Sequence, residues 1–243
     1  MSTAELVLAL DTSHPKGSVA IARGDEILCE ILFDASDTHS ATLLPSVDAC
    51  FKTTRVSLAE IDRIGVVTGP GSFTGLRIGL ATVKAFAAVR RVPVVPLVSL
   101  EVLAAAFPFV PGAVVPLIDA RRGEVYAACY RTAEGSPIEI LPVFSATPDR
   151  LAAALAAAGL AEPLILCGTG ALRYRAVLEA AMPAGSRFAG ARWSYPSAAL
   201  AAVMALGRAA VPDGELAALE PLYVRPPDAK LPADARLREC GGA

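Results

Sequence analysis

Histidine is almost absent from this sequence. There are two, His14 and His39, in 243 residues, which leaves few choices for metal binding or for acid–base work near neutral pH. Cysteine is sparse and scattered. Residues 29, 50, 129, 167 and 240 form an odd set without a close pair in sequence, so neither a disulfide framework nor a zinc site is expected, and the cytoplasm is the natural compartment. No uncharged run reaches the roughly 20 residues of a spanning helix. The run that ends at Ile118 also contains Pro108, Pro111 and Pro116, so no membrane span is expected. The first residues, MSTAELVLALD, carry Glu5 and Asp11 and no basic start, unlike a secretory signal. Net charge is only −2, so nothing global attracts nucleic acid.

Apolar residues are plentiful, at 54%, which excludes a disordered chain. Their pattern predicts strands over 6–10, 18–22 and 26–33, then a helix over 40–52 in which Pro45 fits only the first turn. A strand over 63–68, a helix over 76–89, a strand over 92–98 and a helix over 100–107 follow. After a proline- and glycine-bearing break at 108–112 come strands over 113–118 and 124–131. A helix then runs from Thr147-Pro148-Asp149 to Gly159, followed by a strand over 163–167 and helices over 171–182 and 197–210. This order describes an α/β protein with mixed sheets. It divides into an N-terminal lobe (1–107), a second lobe (108–196) and a C-terminal helix with an extended tail (197–243).

The glycine-rich stretch VVTGPGSFTGLRIG, residues 66–79, joins a strand to a helix, the setting in which such loops hold phosphates. Its spacing fails the known templates. Gly75 is followed by Leu76-Arg77 rather than Lys and Ser/Thr, and position 74 is Thr where a dinucleotide fingerprint needs its third Gly. A device for packing the helix closely is the other reading. Asp11-Thr12-Ser13, at the end of the first strand, offers a carboxylate and hydroxyls to a magnesium-bound phosphate, or else bonds its own backbone in a turn. Gly168 and Gly170 flank Thr169 where a nucleoside would approach closely, or where a strand turns tightly into a helix. His39 begins a helix, but the residue one turn on is Leu43. One imidazole and a leucine do not make the paired helical ligands of a metal site, so no metal site is expected. No nucleophile elbow or Cys/His pair is evident, and no catalytic residue is assigned. The segment Asp119 to Tyr126 packs an Asp, two Arg and a Glu around a hairpin, suited either to an anion or partner loop or to a solvated turn.

In this order, LALDTS, HSATLLPSVDACF, VVTGPGSFTGLRIGLATVKAFA, PLIDARRGEVYAACY and PLYVRPP resemble the TsaB family of bacterial tRNA threonylcarbamoyladenosine biosynthesis proteins, over residues 5 to 228. The resemblance implies an actin/Hsp70-like (ASKHA) fold of two related lobes. It implies a non-catalytic subunit that pairs with the catalytic paralogue TsaD and works with the ATPase TsaE in modifying the adenosine beside the anticodon. It also implies a cytoplasmic protein that meets tRNA only indirectly, binds no cofactor by itself, and meets ATP or ADP with magnesium only in the complex; alone, homodimer and monomer are both open. Leu44, Val47, Gly75, Gly79 and Val83 are then the interface candidates, on the two helices of the first lobe. The rival reading is an actin/Hsp70-like phosphotransferase or nucleotidase, with Asp11, Thr12, Ser13, Gly168 and Gly170 touching the nucleotide.

Overall fold

The computed structural model describes residues 4–35, 39–212 and 214–224, with the backbone alone at 39 and 40. Three strands, β1 (Leu6–Asp11), β2 (Lys16–Arg23) and β3 (Glu26–Asp34), form an antiparallel meander. The chain then alternates through α1 (His39–Thr54), β4 (Arg63–Gly69), α2 (Phe73–Arg90), β5 (Val94–Val98) and α3 (Ser99–Ala105). β4 lies parallel to β1, and β5 parallel to β4, so the sheet order is β3-β2-β1-β4-β5.

The remaining elements are β6 (Ala113–Asp119), β7 (Val125–Arg131), β8 (Ile138–Ala146), α4 (Pro148–Ala157), β9 (Leu164–Cys167), α5 (Thr169–Arg173), α6 (Arg175–Ala181), β10 (Arg187–Phe188) and α7 (Ala198–Leu206). The second sheet has the order β10-β9-β6-β7-β8. Its first three strands are again antiparallel, and its fourth and fifth are again parallel to the first strand's side of the sheet. Counted within each lobe, both sheets therefore have the strand order 3-2-1-4-5. This duplicated pattern is the actin/Hsp70-like two-lobe fold.

Strand alternation sorts the first sheet into two cores. Leu8, Leu10, Val19 and Ile21 point to one side and pack under α1 and α2 with Leu43, Val47, Leu80 and Val83. Val7, Ala9, Ala20 and Ala22 point to the other side, under Ala198, Ala201, Ala202 and Ala205 of α7. Small side chains on both surfaces let α7 lie close, and Gly65 of β4 faces Ala201 and Ala205. The lobes are joined through α3, whose Leu100, Leu103 and Ala104 share a core with Val114, Ile118, Ala128 and Tyr130 of the second sheet.

Four expectations shift. β8 escaped the sequence reading because Pro142 interrupts it. It is an edge strand, where a missing N–H is tolerated, and its register with β7 is irregular near Leu141. α1 begins at His39, so Pro45 lies within the helix rather than in its first turn. α2 starts at Phe73, capped by Ser72, whose Oγ accepts from the Gly75 N–H at 3.2 Å. The helix expected over 171–182 is two short helices that meet at Tyr174.

Candidate functional site

The glycine loop clasps the turn after β1. The Ser72 N–H donates to the Ser13 carbonyl at 2.6 Å, and a side chain at Gly71 would collide with that carbonyl. Thr12 Oγ1 donates to the Gly75 carbonyl at 2.7 Å, and a Cβ at Gly79 would strike Thr12 Oγ1. The two glycines on α2 are therefore a seat for Thr12. Asp11 is fully buried beside them. The Ser13 N–H donates to its Oδ1 at 2.9 Å, while its Oδ2 has no hydrogen-bond partner among the described residues. Burial pushes the Asp11 carboxyl up to about 7, against the lowering effect of the Ser13 hydrogen bonds. Ser13 Oγ is hydrogen-bonded to His14 Nδ1 at 2.8 Å, and the His14 ring meets Tyr195 edge-on.

Ser13 and His14 form one wall of a cleft of about 850 Å³ between the lobes. Opposite them stand Asp119, Arg121, Arg122, Tyr126 and Thr169 of the second lobe, and Leu222 and Tyr223 reach its mouth. The hairpin between β6 and β7 is tightly wound, with Arg121, Arg122 and Gly123 all at positive φ. Its acids are engaged internally. Asp119 accepts from Arg173 at 3.1 Å, from the Tyr174 hydroxyl at 3.3 Å and from the Arg121 N–H at 3.0 Å, and Glu124 accepts from Ser145 Oγ. The end of the described chain closes the mouth from the first lobe. The Leu222 N–H donates to Thr68 O, and Arg77 lies over the Phe73 ring and donates to the Tyr223 hydroxyl. Only the segment PLYVRPP hinted at Tyr223, Tyr126 closes the Asp119–Tyr126 segment the sequence singled out, and no local pattern marked Tyr195.

The structure gathers some of the candidates and separates others. Thr12 does meet Gly75 and Gly79, and Ser13 meets Gly71 and Ser72 of the same loop. Gly168 and Gly170 lie in the other lobe, where side chains at those positions would run into Leu117 and, at Gly170, Val125. They serve a tight strand–helix junction. An adenine nucleotide with magnesium, which this fold type implies, does not fit the residues assigned to it. Asp11 is enclosed, Thr12 is spent on Gly75, and the two glycines are filled from behind, so of the five only Ser13 lines the cleft.

The interface candidates need a larger correction. Val47, Gly75, Gly79 and Val83 are buried within this chain, because the face that carries them is the one α1 and α2 lay on the sheet and on Thr12. Leu44 alone points out, 53% exposed. Leu43, next to it, is 1% exposed and belongs to the core.

A family model described as "TsaD: tRNA N6-adenosine threonylcarbamoyltransferase" matches residues 33–159, just over half of the chain. The chain belongs to the TsaD family. Among relatives in this family, the Bacillus subtilis (strain 168) protein named tRNA threonylcarbamoyladenosine biosynthesis protein TsaB is 33% identical over 136 residues, covering 56% of this chain and 59% of that one. The Haemophilus influenzae protein of the same name is 38% identical over 123 residues, 49% of this chain and 51% of that one. The chain thus spans about half the length of the curated relatives it matches. A crystal structure of an uncharacterised Pseudomonas aeruginosa protein, described as similar to the peptidase YeaZ, superposes with a TM-score of 0.76 at 27% identity, over 91% of this chain and all of that one. No group of three or more His, Cys, Asp or Glu suited to a metal ion occurs among the described residues of this TsaD-family chain, and no helix among them is long and apolar enough to cross a membrane.

Proposed function

We propose that this chain is a non-catalytic subunit in the formation of threonylcarbamoyladenosine on tRNA, at the adenosine next to the anticodon. In this reading it works in the cytoplasm, pairs with a TsaD-like catalytic paralogue and acts with a TsaE-like ATPase. It touches tRNA only indirectly and self-associates when the paralogue is absent. It holds no cofactor alone, and ATP or ADP with magnesium belongs to the complex.

The observation that carries the reading is Leu43. A helix-borne metal pair needs a second ligand one turn after His39, and that place is taken by an apolar side chain sunk in the core. The naming of the curated relatives supports the pathway. The docking surface is the outer side of the α1–α2 pair, where Leu44 stands beside exposed Asp48 on one helix, and Ala81, Ala85 and Val89 are exposed on the other. Small residues on a helix surface suit close approach of a second helix pair.

The test is a reconstituted transfer assay with the paralogue and the ATPase from the same organism. The chain alone should form no modified tRNA, and leaving it out should reduce modification to background. Product from the chain alone, or full modification without it, would overturn the proposal.

A further inference from the structure

The cleft between the lobes has a chemistry of its own that the docking surface does not use. Its walls are largely apolar. Phe73 and Leu76 of α2, Ile118 of β6 and Leu222 near the end of the described chain all line it. Its volume of about 850 Å³ lies within the range of small-molecule sites. The charge is gathered at one place. Arg121 and Arg122 enter from the hairpin between β6 and β7, and Asp119 is the one acid in the lining among the described residues. Asp119 is committed to Arg173 and Tyr174, and its side chain is only 11% exposed. Arg121 is held loosely, since its ion pair with Asp119 spans 3.9 Å and its side chain is 75% exposed. Two arginines against one aspartate, with His14 neutral, give the lining one net positive charge.

The backbone at these arginines points the same way. Arg121 and Arg122 stand at φ 63° and 54°, in the left-handed region that disfavours a residue with a Cβ. Glycine or asparagine turns such a hairpin at lower cost. What arginine adds at both places is a guanidinium in the cleft. A metal-bound phosphate is poorly served there, because Asp11 is enclosed outside the lining and Asp119 is already engaged. A carboxylate needs no metal, and the planar guanidinium matches it with two parallel hydrogen bonds.

We propose that the cleft binds a small organic monocarboxylate with an apolar or aromatic body, without a metal. The carboxylate rests on Arg121 and Arg122, and the body lies among Phe73, Leu76, Ile118 and Leu222. The contacts come from both lobes, so the ligand acts as an effector that ties them together rather than as a cofactor. The site is separate from the outer face of the α1–α2 pair and stands or falls independently of it.

The test is calorimetric titration of the full chain, in metal-free buffer, with naphthoate and with phenylpropionate. At least one of them should bind once per chain with a Kd at or below about 1 mM. The corresponding primary amide, neutral and of the same shape, should bind at least about tenfold more weakly, because the charge-assisted hydrogen bonds are gone. Arg121→Ala combined with Arg122→Ala should weaken the carboxylate at least about tenfold. Both side chains are exposed, so the melting temperature should hold. ATP with magnesium should not displace the bound carboxylate. The proposal fails if neither carboxylate binds at about 10 mM, if acid and amide bind alike, if the double variant binds like the parent, or if magnesium ATP competes. The comparison of acid with amide uses the parent protein and needs no variant to fold.

Discussion

At Gly79 a single hydrogen atom decides how the first lobe closes. Thr12 Oγ1 occupies the space a side chain would take and is held there by its bond to Gly75 O. Gly79→Ala gains about 1 kcal/mol of helix propensity but forces the anchored hydroxyl aside, an overpacking cost of about 1–3 kcal/mol. The melting temperature is expected to fall by several degrees in a thermal scan. Adding Thr12→Ala should recover much of the loss, because the colliding oxygen is gone. Two independent losses that simply add would disprove the steric account.

Asp11, beside this seat, makes stability depend on pH. Its folded-state carboxyl titrates at about 7 against 3.8 unfolded, so between those values the folded chain binds more protons than the unfolded one. By linkage, its contribution is fully present below pH about 4 and is lost as pH rises toward 7. Asp11→Asn keeps an oxygen for the Ser13 N–H and cannot ionise. Denaturant melts at several pH values from 5 to 8 should show the parent losing stability relative to this variant as pH rises. A constant difference across that range would contradict a buried, proton-binding Asp11.

Helix α1 divides its tasks between neighbouring residues. Leu43 and Val47 hold the helix on the sheet, and Leu44 faces outward. Leu44→Asp should leave the melting temperature within about 1–2 °C of the parent, since exposed substitutions rarely cost more than about 0.5 kcal/mol. Its binding to the TsaD-like paralogue, measured by calorimetry or gel filtration, should weaken at least about tenfold if an apolar side chain at the contact is replaced by an unpaired charge. Undiminished binding would remove α1 from the proposed interface. On the opposite side of the same sheet, α7 needs no such division, because Ala198, Ala201, Ala202 and Ala205 are all buried.

The whole molecule is two copies of one sheet pattern with α3 lodged between them. Leu103 of α3 packs against the second sheet's Val114, Ile118 and Tyr130, and Glu101 is paired with Arg208, just beyond α7, at 2.7 Å. A core this continuous couples the lobes. Leu103→Ala should cost about 2–5 kcal/mol and lower one common transition. Far-UV circular dichroism follows both sheets. Fluorescence of Trp193, whose ring meets Phe107 at a tilt just after α3, follows the junction. Coincident curves in parent and variant are expected, and separate midpoints would show lobes that unfold independently.

Most strands and helices could be read from the chain, because alternation and helical spacing are local properties that each segment must satisfy to bury its own face. That Leu43 stands one turn after His39 was equally legible, since both lie on one helix. The exceptions are local too: Pro142 hid an edge strand. What could not be read depends on segments that meet across the fold. Gly75 and Gly79 resemble an open helical face until Thr12, from the turn after β1, is set into it. Gly168 and Gly170 resemble a nucleotide turn until Leu117 fills the space behind them. Each of these contacts joins residues that sequence distance keeps apart, and packing against a third element is what selects one partner among the many the composition allows.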